Sequence, residues 1–309
     1  MNFNGYRYFN EVAATRSIRR AADRLHVAPS AVSRQLAILE HQLGTLLLER
    51  SNTGIQLTAA GLMLERYTRH MFRDLERVQE TIRNLKGLKQ GEVKIWVMEG
   101  LVKEFLPRTI AAFNEKFPAI RFQVVTESSD RIVEALIRDE ADIGVVFNAR
   151  RRPGIEVVAE HTEPVRCLVS KDHVFAGRDS LTLAEVCSQQ VAIHFPSSGI
   201  RQIFDHAVAR ARLTADVIVS TNNLELTKTM AMTGRALTLS PLLAAGREVR
   251  DGSLVAIPVE DEDLAGVTSA VCVHRDRQLS YAANEFLKKI STDFHALNAR
   301  PELAAARLG

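Results

Sequence analysis

Apolar residues recur at helical spacing over three short stretches at the start of the chain, and they predict helices over residues 6–15, 17–25 and 29–44. In the second, Ile18, Ala21, Ala22 and Leu25 form one stripe, with Ser17 placed to cap it. A turn over residues 26–28 follows, and Pro29 opens the third helix where a missing N–H costs nothing, although Ala28 is a poor cap. On that helix Val32, Leu36, Leu39 and Leu43 predict the packed face, which leaves Ser30, Ser33, Arg34, Ala37 and His41 elsewhere. The polar run 50–54, followed by the alternating Ile55, Gln56 and Leu57, predicts a two-stranded wing. From Thr58 a long helix carries Leu64, Thr68, Met71, Leu75, Val78, Ile82 and Leu85 at alternating steps of four and three. A heptad seam of this kind buries itself against a second copy, so it predicts a homodimer.

Beyond a glycine-bounded linker at 87–91, strand and helix patterns alternate, which predicts α/β units with parallel strands. Strands are expected over 93–98, 120–127 and 143–147, with helices over 101–117 and 130–139 between them. A second set comprises strands 165–169, 191–195, 217–220 and 236–239 with helices at 200–212 and 224–233. Strands 254–259 and 269–273 and a helix over 281–295 complete the chain, with crossings between the two halves at 161–165 and 262–268. In open α/β sheets ligands bind beyond the carboxyl ends of the strands, where helix amino termini present free N–H groups. The turns at those ends supply Glu99, Gly100, Leu101, Ser128, Ser129, Phe147, Asn148, Ser197, Ser198, Gly199 and Asn222 as candidate ligand contacts. Taken singly, Ser129, Ser198 and Asn223 read equally well as helix caps, and Glu99 as a solvent-facing acid. A carboxylate suits helix amino termini best, whereas Glu99, beside Met98, favours a ligand bearing an amino group or a hydroxyl donor.

Composition narrows the class. The chain has 309 residues, 46% hydrophobic and 25% charged, which is ordinary for a folded protein of two or three domains. Residues 1–90 hold 14 Lys and Arg against 8 Asp and Glu, a net of +6, which leaves −3 for the other 219. A basic amino-terminal third points to a polyanion partner. Cys167, Cys187 and Cys272 are odd in number and widely spaced, so they read as buried small hydrophobes rather than a disulfide framework or a zinc site. No cofactor and no metal is expected. No apolar run approaches membrane-spanning length and no secretory leader is evident, so the protein is expected in the cytoplasm, away from any membrane. GxGxxG, P-loop, HExxH and GxSxG signatures are absent, so no catalytic residue is assigned. His194, inside an apolar strand, reads as a satisfied core residue, and Arg150, Arg151 and Arg152 as a solvated loop.

Two short helices joined by a tight turn, the second exposing small hydroxyls and an arginine, have the form of a helix-turn-helix. A groove-inserted helix needs side chains short enough for close approach yet able to bond base edges, and Ser30, Ser33, Arg34 and Gln35 meet that need. Here the sequence resembles the LysR-type transcriptional regulators. The resemblance rests on residues 9–13, Ser17, the run 21–25, the run 29–36, Leu39-Glu40, Leu43-Gly44, Arg50 and the run 57–61. It implies an α plus α/β chain: an amino-terminal winged helix-turn-helix (residues 1–58), a long linker helix for dimerisation (59–90), and a two-lobed carboxyl-terminal domain like periplasmic binding proteins (91–300). Lobe I would be 91–161 with 268–300, lobe II 162–267, and 301–309 a tail. It implies contacts to double-stranded DNA through Pro29, Ser30, Ser33, Arg34 and Gln35, with Arg50 near phosphates. It also implies a small-molecule effector between the lobes, such as an organic acid, a dimer of dimers, and RNA polymerase as a candidate partner. Where relatives carry a serine cap this chain has Ala28, and where they carry phenylalanine before the wing it has Leu48. Asn52 and Thr53 replace a second wing arginine, and Arg235 an expected glycine. An architectural DNA-binding protein without a ligand, or an enzyme fused to a DNA-binding module, would share the amino-terminal pattern.

Overall fold

The computed structural model describes residues 3–51, 54–85, 90–148 and 152–298. It divides into two units, Met1–Ile82 and Arg83–Gly309.

The first unit begins with α1 (Phe3–Thr15), α2 (Ile18–Leu25) and α3 (Pro29–Leu43). Ser17 is extended and its hydroxyl accepts the Arg20 N–H at 3.3 Å, the cap its position predicts. The α2 to α3 turn is tight because His26 adopts a left-handed conformation (φ 54°), sending its N–H back to the α2 carbonyls. Ala28 makes no side-chain cap bond, and α3 starts on Pro29. Phe9, Val12, Ala21, Ala22, Val32, Leu36 and Leu39 interlock as the core, which Leu47, just before β1 (Leu48–Ser51), and Leu57 of β2 (Gly54–Leu57) extend. Leu43 departs from expectation: it is 42% exposed, because α3 ends there on the left-handed Gly44, past the rim of the core. The two strands pair antiparallel, with Arg50 opposite Ile55. Asn52 and Thr53 lie outside the described residues.

The long helix is α4 (Ala59–Leu85). The part of its heptad stripe that stays exposed is shorter than the stripe itself. Leu64 packs on the core of this unit. Thr68 is 2% exposed, and its hydroxyl donates to Leu64 O at 3.0 Å and lies 3.4 Å from Asn10 Oδ1. Met71, Leu75, Val78 and Ile82 stay exposed. The Leu85 side chain lies outside the described residues.

In the second unit, lobe I is built from β3 (Gly91–Val97), α5 (Phe105–Lys116), β4 (Ile120–Thr126), α6 (Ser129–Ile137), β5 (Ile143–Phe147) and β6 (Ile155–Glu163). Lobe II follows with β7 (Val165–Val169), β8 (Leu181–Thr182), α7 (Leu183–Cys187), β9 (Gln190–His194), α8 (Gly199–Arg210), β10 (Asp216–Thr221), α9 (Leu224–Met232), β11 (Thr238–Pro241), α10 (Leu242–Arg250) and β12 (Val255–Glu260). The chain returns through β13 (Val267–His274) and ends on α11 (Tyr281–Asn298).

The lobe I sheet has the order β4-β3-β5-β13-β6, with β3, β4 and β5 parallel but β13 antiparallel to both its neighbours. The parallel expectation fails there because β13 arrives straight from lobe II without a crossover helix. Lobe II carries the sheet β11-β7-β12-β8, again with antiparallel pairs, and the parallel pair β9-β10 is joined to it by the Ala192 N–H to Leu237 O bond of 2.8 Å. The sequence pattern missed β6, β8, α7 and α10. Strand β6 is an edge strand with two exposed glutamates, Glu156 and Glu160, and α10 follows a proline and contains Gly246, so neither has a clean period. The helix expected over 101–117 is a 3₁₀ turn at Glu99–Leu101, then α5 from Phe105. Phe113, Phe286 and Phe294 bury one face of the lobe I sheet and Ile132, Leu136 and Val146 the other, each large side chain contributing ~1.5 to 3 kcal/mol. Phe204, Val191, Leu181 and Leu239 centre lobe II.

Candidate nucleic-acid interface and interlobe site

Burial of Val32, Leu36 and Leu39 fixes which side of α3 faces outward. Pro29, Ser30, Ser33 and Arg34 are exposed there, and Gln35 is half-buried. With no side chain capping α3, its first turn remains open to an anionic group such as a phosphate. Arg50 sits on β1, opposite Ile55 of β2; its side chain lies outside the described residues.

Between the lobes the predicted turn residues fall into two clusters. In the first, Glu99 does not face solvent. Its Oε2 accepts the Leu224 N–H at 2.9 Å, so lobe I caps the amino terminus of α9 in lobe II. Burial pushes its carboxyl above the ordinary range; the Leu224 N–H opposes this and neighbouring Glu225 adds to it. Asn223 caps the same helix by accepting the Leu226 N–H at 2.8 Å, and Asn222 beside it is exposed. Gly100 lies against α10, where a Cβ would stand 2.8 Å from Ala244 Cβ. The Leu101 side chain is in the lobe I core. Lys103 then bonds Glu225, at 2.9 Å, and Glu248, while the fully buried Lys228 bonds Glu225 at 2.7 Å and Glu248 at 3.1 Å. Two lysines and two glutamates so close a ring across the lobes, and Arg250 of α10 pairs with Glu104 beside it. Burial alone would lower the Lys103 pKa; its bonds to Glu248 and Glu225 outweigh that and raise it.

The second cluster joins β5, α6 and α8. Ser129 is not a cap: its hydroxyl accepts the Phe147 N–H and donates to Phe147 O, both at 3.0 Å, which stitches the α6 start to the end of β5. Ser128 occupies the cap position without a side-chain bond. The Phe147 ring is buried against α8, and a Cβ at Gly199 would come within 2.6 Å of it, so that helix must begin on glycine. Ser198 makes no side-chain cap bond, Ser197 is exposed, and Asn148 is left-handed (φ 50°) with its N–H on Thr268 O. The charged ring escaped sequence reading because Lys103 and Glu225 are 122 positions apart.

Elsewhere, Glu163 at the end of β6 accepts the Leu243 N–H at 3.1 Å and so supplies the cap that Pro241 cannot. Burial pushes its carboxyl up to about 7, against the Leu243 and Leu242 N–H groups and Arg166, which lower it. His194 is less satisfied than expected, with Nδ1 buried and no hydrogen-bond partner among the described residues. Burial pushes the Cys167 and Cys272 thiols up to about 12, and burial raises Cys187 as well, which leaves all three protonated and inert at neutral pH. Arg152 pairs with Asp130; Arg150 and Arg151 lie outside the described residues. Arg235 is exposed. Among the described residues no group of three or more His, Cys, Asp or Glu could hold a metal ion, and no helix is long and apolar enough to cross a membrane.

An amino-terminal helix-turn-helix with a wing, followed by a two-lobed α/β domain, defines the class of protein. Residues 3–62 match the bacterial regulatory helix-turn-helix protein of the lysR family, and residues 86–294 match the LysR substrate binding domain. The chain belongs to the LysR family of transcriptional regulators. It is a DNA-binding regulator with a carboxyl-terminal effector-binding domain. It is 27% identical over 254 residues, 82% of this chain and 84% of the other, to the RuBisCO operon transcriptional regulator of Allochromatium vinosum. To the dual regulator OxyR of Escherichia coli K12 it is 24% identical, covering 84% of this chain and 85% of that one. Its fold is similar to full-length CbnR complexed with its target DNA (TM-score 0.66, 22% identity, 96% of this chain and 100% of that chain). It is also similar to a full-length OxyR variant from Pseudomonas aeruginosa (TM-score 0.72, 17% identity, 96% and 95%).

Proposed function

We propose that α3 enters the major groove and reads DNA through Pro29, Ser30, Ser33, Arg34 and Gln35, with Arg50 of the wing on the adjacent phosphates. The observation that carries this reading is the division of α3 into a buried aliphatic side and an exposed side holding two hydroxyls and an arginine. The regulator works in the cytoplasm, where the chromosome is, as a homodimer paired along Met71, Leu75, Val78, Ile82 and Leu85, and two dimers join on neighbouring sites. RNA polymerase is its candidate protein partner. A small molecule between the lobes shifts how the dimers sit, which requires a different affinity in each state.

Glu99 bears on the effector's chemistry. A free helix amino terminus would favour a carboxylate, yet that of α9 already holds a carboxylate from the chain itself. A ligand offering an amino or hydroxyl donor to Glu99 fits this turn better than an organic acid. The chain performs no catalysis in this reading.

The experiment is selection of duplexes from a random-sequence library by the full-length protein, followed by titration of the enriched duplex. Arg34→Ala should weaken binding by ~1 to 3 kcal/mol and relax preference at one base position, with an unchanged unfolding midpoint. Unaltered affinity and sequence preference would remove Arg34 from the interface. A thermal-shift screen with amines and polyols separates an effector-responsive regulator from a ligand-independent architectural protein, for which none would stabilise the chain.

A further inference from the structure

Residues 46–48 join α3 to the wing, and their backbone is held from both sides. Glu40, near the end of α3, uses one carboxylate oxygen to accept the Leu47 N–H at 2.8 Å and the Leu48 N–H at 3.2 Å. Thr58, at the far root of the wing, donates its N–H to Leu47 O at 3.0 Å and its hydroxyl to Leu46 O at 2.7 Å. Gly61, in the first turn of α4, completes the junction. A Cβ there would stand 2.1 Å from Leu47 O, so α4 reaches this peptide only because no side chain intervenes. The Leu47 side chain is itself 1% exposed in the core. The connection therefore cannot shift against α3 without losing charge-assisted hydrogen bonds.

An acid on a helix that meets DNA needs a physical reason, because a carboxylate near phosphates is repelled. Half-buried Glu40 has one in the two amides. We infer that Glu40 is a positioning residue for DNA binding: it fixes the start of the wing against α3, two residues before β1 reaches Arg50, so that helix and wing meet the duplex in one register. The inference rests on the proposed reading in which both elements touch DNA.

The test uses the full-length protein and a duplex that the wild type enriches from a random-sequence library, with affinity followed by fluorescence anisotropy across a salt series. Each lost phosphate contact lowers the log–log salt slope by about 0.9 per protomer. Arg50→Ala and Glu40→Ala should each show that drop, and the double variant should lose no more than the larger single loss, because both remove one contact. Glu40→Gln keeps an oxygen for the two amides and should retain the wild-type slope. Glu40→Asp keeps the charge but is one methylene too short; it should match Glu40→Ala, and it serves if the alanine variant does not fold, as judged by circular dichroism. A folded Glu40→Ala or Glu40→Asp with the wild-type slope overturns the inference, as do losses that add in the double variant or a Gln variant as weak as Ala. If the wild type enriches no duplex, or Arg50→Ala leaves the slope unchanged, the contact reading itself fails and takes the inference with it.

Discussion

Glu163 is a single residue on which stability depends through its proton. Its carboxyl is buried, one oxygen caps α10, and the other has no hydrogen-bond partner among the described residues. Folding raises its pKa from 4.5 to about 7. Between those values the folded state holds a proton that the unfolded chain has released, so stability falls as pH rises through that window and is lowest above it. The full effect is at most about 3 kcal/mol. Glu163→Gln keeps a capping oxygen and cannot ionise. It should therefore match wild type near pH 4.5 and exceed it by up to that amount at pH 8, read from urea unfolding at the two pH values. Equal stabilities at pH 8 would mean that the site is hydrated enough to hold the charge. Sequence could not show this, since Glu163 meets Leu243 across 80 positions. Ser17 and Pro29 were legible because a cap and a first-turn proline act within one turn of their own helix.

Among the elements, α4 shows how a period can be read and still be divided between two partners. Its heptad is continuous in sequence, yet Leu64 and Thr68 are used by the core of the amino-terminal unit, and only Met71 onward remains uncovered. The two ends should respond differently to mutation. Leu75→Asp with Val78→Asp should convert dimer to monomer in sedimentation equilibrium while the helix-turn-helix stays folded. Leu64→Ala should instead destabilise the amino-terminal unit, by about 2 kcal/mol given its half-buried site, and leave the association state alone. A dimer that survives the two aspartates would rule out the proposed seam. Elements with a clean period were found from sequence: α1, α2, α3, α4 and the parallel strands β3, β4 and β5. Those missed, β6, α7, β8 and α10, are short or carry charge where they meet solvent, so packing decided them instead of pattern.

In the effector domain as a whole, the ring of Lys103, Glu225, Lys228 and Glu248 ties lobe I to lobe II and leaves no member of the buried set uncompensated. Removing one partner from a buried ion pair is costly because the other charge remains. Lys228→Met, which keeps volume, should lower the stability of this domain by ~3 kcal/mol in urea, whereas Lys103→Met, at a partly exposed member, should cost ~1 kcal/mol or less. Equal losses would mean that the ring is not graded by burial.

The resemblance to the LysR family supplied the two-lobed plan, while local sequence sufficed for the helix-turn-helix, the wing and the alternation of strands and helices. These last three follow from periodicity, capping and turn chemistry acting over a few residues. The folded chain was needed to place Glu99 on the α9 amino terminus, to make Ser129 a stitch between β5 and α6, to raise the Glu163 pKa to about 7, and to close charges from three chain segments into a ring. Burial and electrostatics at those places depend on which chain segments meet, and separations from 18 positions, for Ser129 and Phe147, up to 145, for Lys103 and Glu248, leave no local trace.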